Sequence, residues 1–235
     1  MPPTVALLHS PLTSAAVWGD LPPALIGSGF DVVVPEVLDD DEAPYAVHYI
    51  ARAALQLADH APSSPLVLVA HSGAGPLLPQ IGFARHAAGA SVSGYVFLDA
   101  MLPRVPQAAT RLELMAIEDK QFAVELEDLL TSGQRFPDWS DADLAAELPD
   151  PGDRAMLMAG LRPRSLDFFT EPLPLPEDWP DARCGYLQLS PAYEVPAATA
   201  ERRGWDVRRE SLHHFATLTH PDLVARTLAS LIREL

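Results

Sequence analysis

Short, nearly continuous apolar runs recur along the chain, each closed by a small or turn-forming residue, with helix-period stretches between them. TVALLH (Thr4 to His9) is followed by SPLTSAAVW and a helix-patterned stretch from Gly19 to Gly27. DVVVP (Asp31 to Pro35) precedes a second helical stretch from about Pro44 to His60, and LVLVAHS then turns into a third. SVSGYVFLDA (Ser91 to Ala100), CGYLQLS (Cys184 to Ser190) and WDVRRES (Trp205 to Ser211) read as further strands. The last helix runs from Pro221 to Glu234, with Thr219 or His220 as its cap and Asp222 at the positive end of its dipole. Strands that are apolar throughout have both faces buried. Their alternation with helices predicts an α/β fold: a mostly parallel, doubly wound sheet with flanking helices.

From Leu102 to about Asp181 the strand signal vanishes, and proline and charge rise. Gln107 to Leu130 alternates acidic and apolar residues at helical spacing, with Leu112, Met115, Phe122, Leu126 and Leu129 available for one face. Shorter helical pieces follow at about 141–148 and 152–160, and LRPRSLDFFTEPLPLPEDWP returns the chain to the sheet. The expected organisation is a core of residues 1–103 and 182–235 carrying a helical cap, residues 104–181. The cap would lie over the carboxyl ends of the strands, where open parallel sheets bind ligands. His9, His71, Met101, Met115, Phe168 and Phe169 are candidates to line an apolar substrate pocket there. Packing of cap onto core is the competing use of any one of them.

One strand end carries chemistry. In LVLVAHSGAG (Leu66 to Gly75) the apolar run breaks into Ser72, with Ala70 and Ala74 two positions to either side, Gly73 next and Gly75 beyond. A serine on a strand-to-helix turn sits in strained backbone and needs small neighbours. It presents its hydroxyl beside the first N–H groups of the following helix. The pattern is G-x-S-x-G with alanine in both glycine places, and an ordinary serine N-cap would read similarly. HHFATLTH lies just before the last helix, so the order serine, acid, histidine of an activated-serine site is available.

LLHS near the start, AHSGAG, FLDA after the next strand and HHFATLTHP near the end together resemble the α/β-hydrolase superfamily over nearly the whole chain. The likeness is greatest to its small cofactor-independent esterase and hydroxynitrile-lyase members. The resemblance implies Ser72 as nucleophile and His214, followed by Phe215, as general base, with His213 in the usual glycine place. The family's acid position falls near Ala192 in SPAYEVP, where there is no aspartate. Asp99, ending the strand after the serine turn, is the favoured acid, and Glu194 is the alternative. Gly73 would supply one oxyanion-hole N–H. The family's second donor falls on Pro11, which has no N–H, so the Leu12 N–H or the Ser10 hydroxyl is expected in its place. His71 reads as packing. The implied activity is hydrolysis of a small, mainly apolar ester or thioester through a Ser-His-Asp triad, with no cofactor and no metal. The alternative is a non-hydrolytic member of the fold, a lyase or cyclase using His214 as base, or a ligand-binding protein without turnover.

Composition narrows the partners. Over 235 residues the formal net charge is −16, which repels nucleic-acid phosphates and anionic lipid surfaces and leaves a small-molecule substrate as the expected partner. A homodimer is compatible with the sequence. Cys184, the lone cysteine, lies in an apolar strand and reads as an inert buried thiol. The start of the chain carries no basic segment followed by a long apolar stretch, so a soluble cytoplasmic protein is expected. Ser72-Gly73-Ala74-Gly75 is not followed by the lysine of a phosphate-binding loop, which argues against nucleotide binding.

Overall fold

The computed structural model describes residues 3–38, 41–60, 65–105 and 107–235. In these residues β1 (Thr4–Leu8), β2 (Asp31–Val33), β3 (Leu66–Ser72), β4 (Val92–Ala100), β5 (Arg183–Gln188) and β6 (Asp206–Arg209) form one sheet. Its order is β2-β1-β3-β4-β5-β6, with every neighbouring pair parallel. The helices are α1 (Leu21–Gly27), α2 (Tyr45–His60), α3 (Leu78–Ala87), α4 (Arg111–Glu118), α5 (Lys120–Thr131) and α6 (Asp141–Leu144). After them come α7 (Pro151–Ala159), α8 (Leu166–Thr170), α9 (Glu194–Arg202), α10 (Ala216–Thr219) and α11 (Pro221–Glu234). None of the helices among the described residues is long and apolar enough to cross a membrane.

The apolar strands are buried on both faces because alternate side chains serve different layers. Val5, Leu7, Val67 and Val69 join a cluster with Leu21 and Leu25 of α1 and Val224, Leu228 and Ile232 of α11. Ala6, Leu8, Leu66, Leu68 and Ala70 join a second cluster with α2, α3 and α9. Each fully buried aliphatic side chain contributes about 1.5–3 kcal/mol relative to exposure, so the two layers hold the sheet flat against its helices. α11 buries Val224, Ala225, Leu228, Ala229, Leu231 and Ile232 at helical spacing. It starts at Pro221 behind His220, which is the N-cap residue but makes no side-chain capping bond.

Chain order positions the site. β1 leads to β2 on one side, and the chain then returns to place β3 on the other side of β1. The loops leaving β1 and β3 therefore run to opposite sides, which marks the place where open parallel sheets bind ligands. His9 to Leu12 follow β1, and Ser72 ends β3.

The β4–β5 insertion carries α4 to α8, and there the structure departs from the expected pattern. The long helix expected over 107–130 is broken at Asp119, whose extended backbone and carboxylate, accepting from the Gln121 and Phe122 N–H groups, begin α5 afresh. An aspartate offers backbone N–H groups an alternative to the helix ladder, which is why it ends one helix and caps the next. The break also re-aims the apolar face: Leu112, Leu114, Leu126 and Leu130 are buried, while Phe122 is 39% exposed. α8 and α9 were outside the expected elements. α9 tolerates Pro196 because its first turn leaves N–H groups without intrahelical partners anyway. The insertion is pinned over the β1 loop by Arg162 N–H to the Leu12 carbonyl (2.9 Å) and by buried Arg164 to the Pro11 carbonyl (3.2 Å). Arg164 also pairs with Asp41 at 2.7 Å, and the Glu171 carboxylate accepts from Ala46 N–H at 2.8 Å.

Tyr186 of β5 secures the end of β4: its hydroxyl accepts from Ala100 N–H (3.1 Å) and donates to the Ala100 carbonyl (2.9 Å), all of it buried. Tyr186→Phe leaves both groups without that partner and is expected to cost about 1–3 kcal/mol in urea unfolding, with an unchanged m-value. A change within experimental error would show that the strand end is held by other means.

Candidate active site

The β3–β4 ladder slips by one residue at its end. His71 lies opposite Leu98 but Ser72 lies opposite Ala100, so Asp99 is the extra residue of a bulge. Ser72 has φ 57° and Asp99 φ 44°, two non-glycine residues in left-handed backbone on neighbouring strand ends. Such conformations cost about 1–3 kcal/mol each and persist only where the surroundings enforce them. Here Met101 N–H donates to the Ser72 carbonyl and Ala74 N–H to the His71 carbonyl, both at 3.2 Å. Ala70 and Ala74 are fully buried, and a Cβ on Gly75 would collide with the Met101 carbonyl. The small residues around the serine are thus required by close backbone approach.

Asp99 is fully buried and fully engaged. Oδ2 accepts from His214 Nδ1 at 2.8 Å and from the Ser190 hydroxyl at 2.7 Å, and Oδ1 accepts from the Leu189 and Ser190 N–H groups at 2.8 and 3.0 Å. Burial pushes the carboxyl up, but the His214 hydrogen bond and charge, with the Ser190 contacts, outweigh it and hold Asp99 below the usual carboxylate range. An ionised acid on Nδ1 fixes the tautomer of His214 and leaves Nε2 as the basic nitrogen. His71 stacks on His214 with ring centroids 4.4 Å apart, and its Nε2 donates to the His214 carbonyl at 3.0 Å. Burial, aided by the charge of His214, pushes His71 down to about 3, so it stays neutral and does not compete for the proton. Glu194 is turned elsewhere, accepting from Gln188 Nε2 at 3.1 Å and lying 3.8 Å from Arg209. His213 bonds the Thr219 hydroxyl at 2.8 Å at the rim.

On the β1 side, Leu12 N–H donates to the Ser10 hydroxyl oxygen at 3.2 Å, so it is committed within the loop. That leaves the Ser10 O–H as the donor of the pair. Ser10 Oγ lies beside Gly73, where an added Cβ would meet it at 3.1 Å, and the Gly73 N–H has no partner among the described residues. His9 is fully buried and anchors this loop: Nδ1 bonds the Ser10 carbonyl (2.8 Å) and Nε2 accepts from Val37 N–H (3.0 Å). On the opposite side stands Tyr193. Its ring stacks on His214 (centroids 5.0 Å, planes 10° apart), and its hydroxyl is 3.3 Å from Ser72 Oγ. The Ser72 hydroxyl bonds this phenol rather than an imidazole nitrogen. Tyr193 was missed in the sequence although it stands between Ala192 and Glu194, the two positions inspected for an acid.

Three comparisons bear on this geometry. No family model and no curated protein matches the chain. Solved structures do. An extracellular α/β-hydrolase from a Paenibacillus species superposes with TM-score 0.77 at 14% identity, covering 98% of this chain and 99% of the other. Polyneuridine aldehyde esterase gives 0.75 at 17% identity, covering 98% and 99%. Tomato methylketone synthase I, solved with 2-tridecanone, gives 0.71 at 15% identity, covering 100% and 99%. The chain has the α/β-hydrolase fold. At such identities the likeness is one of architecture, so the chemistry of this α/β-hydrolase-fold protein has to be argued from its own residues.

The remaining candidates divide. Phe168 and Phe169, 1% and 0% exposed, lie in a cluster that the insertion shares with Leu12 and Tyr45, with the Arg111 guanidinium 3.8 Å over the Phe168 ring. Met101 is buried beneath the serine turn, and Met115 is half-buried between the insertion and the sheet. An unanticipated ring chain links His214 to the insertion through Phe215, Trp139 and Phe136, with centroids 5.1 to 5.8 Å apart. Among the described residues no three His, Cys, Asp or Glu side chains are grouped to hold a metal ion.

Glu118, the last residue of α4, borders a crevice of about 90 Å³ with Leu102, Leu114, Ile117 and Val195. Burial, with the charge of Asp99 adding to it, pushes its carboxyl up to about 8, so it is protonated at neutral pH. A carboxyl raised on folding loses stability for the fold as pH climbs from its unfolded value near 4.5 to about 8, because only the unfolded chain releases the proton in that window. Glu118→Gln removes this term. Its melting temperature relative to the parent is therefore expected to be higher at about pH 8 than at about pH 5. Thermal unfolding at the two pH values checks it, and an equal difference at both would show that the carboxyl ionises freely.

Proposed function

We propose that the protein is a serine hydrolase of carboxylesterase or thioesterase type acting on a small, mainly apolar ester. The observation that carries this reading is the 2.8 Å bond from His214 Nδ1 to the buried Asp99 carboxylate, beside a serine in left-handed backbone. A serine hydroxyl is a weak nucleophile until an oriented base takes its proton, and these are the parts required. The aromatic chain from Phe215 to Phe136 supports an apolar substrate. Two structural neighbours are named as an esterase and a pyrethroid hydrolase, which agrees with ester chemistry.

In this mechanism the Ser72 side chain turns from Tyr193 toward His214 Nε2 and gives it the proton as Oγ bonds to the carbonyl carbon. The carbonyl electron pair moves to oxygen, where the Gly73 N–H and the Ser10 hydroxyl hold it. As the carbon–oxygen bond to the alcohol breaks, His214 returns the proton to the departing oxygen and an acyl-serine remains. A water then gives its proton to His214 and attacks the acyl carbon. Collapse of that intermediate frees the acid and restores the Ser72 hydroxyl.

A fluorophosphonate probe is expected to form an adduct on Ser72 and none on Ser72→Ala, read by intact mass. A folded parent protein that takes no label would point instead to the lyase or binding-only reading. Asp99→Asn is expected to lower kcat/KM about 10³- to 10⁴-fold. Glu194→Gln should stay within about twofold, as surface substitutions do; the reverse pattern would reassign the acid. Ser10→Ala is expected to cost about 10²- to 10³-fold in kcat, the value of one oxyanion donor.

A further inference from the structure

Tyr193 enters the site from beyond β5, on the first turn after that strand, whereas Ser10, whose hydroxyl lies beside Gly73, follows β1 on the other flank of β3. Oxyanion donors on the β1 side turn the charged oxygen of a tetrahedral carbon bonded to Ser72 Oγ in that direction. The departing oxygen then faces β4 and β5, where His214 must reach it with a proton. Tyr193 lies on that side, its ring parallel to His214 and its hydroxyl 3.3 Å from Ser72 Oγ.

Resting on the hydrolase reading above, the geometry points to Tyr193 as a catalytic hydrogen-bond donor to the leaving-group oxygen. In the resting site the phenol shares its hydrogen bond with Ser72. Once Oγ is bonded to the tetrahedral carbon it is a poor acceptor, and the phenol O–H is free for the oxygen that is becoming an alkoxide. Tyr193 moves no proton: the C–O bond breaks, His214 protonates the alcohol, and the tyrosine keeps its own hydrogen throughout. Burial, with the charges of Glu118 and Asp99, holds the phenol well above its ordinary range, so it stays a donor at every working pH. The stacked ring meanwhile gives the His214 imidazolium an aromatic face on one side, as neutral His71 does on the other.

A donor to the leaving oxygen matters in proportion to the charge that oxygen develops. Esters of one acid with two alcohols separate this role from packing. Tyr193→Phe keeps the ring and removes only the hydroxyl. It is expected to lower kcat/KM for ethyl butyrate roughly 10- to 100-fold, the value of a charge-assisted hydrogen bond. For p-nitrophenyl butyrate, whose phenolate leaves unaided, the loss should stay under about threefold on the same reasoning. Equal losses on both esters, or none on the ethyl ester, overturn the assignment. Fluorophosphonate labelling of Ser72 in parent and variant tells the two failures apart: equal losses with labelling intact overturn the role of Tyr193 alone, and a parent that takes no label overturns the hydrolase reading with it.

Discussion

Where β3 and β4 end side by side, the ladder carries one residue more on β4 than on β3, and that extra residue is Asp99. In an unbroken parallel ladder side chains alternate between the two layers, and both Ser72 and Asp99 would be drawn into one layer or the other. The slip and the two positive φ values turn them instead past the end of the sheet, where Ser72 meets the Tyr193 hydroxyl and Asp99 meets the His214 ring. Tyr186 gripping Ala100 and Met101 capping the Ser72 carbonyl keep the strand ends from relaxing back into register. Strain of this kind needs a stiff frame, and the doubly covered sheet supplies it.

Burying an ionised carboxylate is costly unless its lone pairs are occupied. Asp99 meets that condition with two backbone N–H groups, one hydroxyl and one imidazole. The neighbouring titratable groups are arranged so that they do not compete: His71 is held neutral at about 3, and Glu118 keeps its proton up to about 8. His214, its Nδ1 held by Asp99, is stacked against the rings of His71 and Tyr193.

The β1 loop solves a local conflict. Proline at position 11 carries no backbone N–H, and the hydroxyl of Ser10, with Leu12 N–H donating to it, lies beside Gly73. The same loop anchors the β4–β5 insertion through the Pro11 and Leu12 carbonyls. The insertion therefore bears on the loop that carries Ser10, so displacing it would shift Ser10 beside Gly73.

Periodicity and small-residue spacing act over a few positions, and what depends on them was legible in the chain alone: the parallel sheet, the serine turn in AHSGAG, the histidine before the last helix and the helical insertion. Asp99 could be favoured over Glu194 as an acid ending an apolar strand, and it is the carboxylate that bonds His214 Nδ1. Other features were decided only by tertiary structure. The break at Asp119 turned on a side chain competing with its own helix for two N–H groups. The commitment of Asp99 depended on N–H groups 90 and 91 residues further along, and the bond from Leu12 N–H to the Ser10 hydroxyl on how one loop folds beside Gly73. Tyr193 reaches Ser72 across 121 residues, with no local pattern to announce it. Short-range sterics are written into neighbouring residues, whereas hydrogen bonds between distant strand ends exist only once the sheet has set their register.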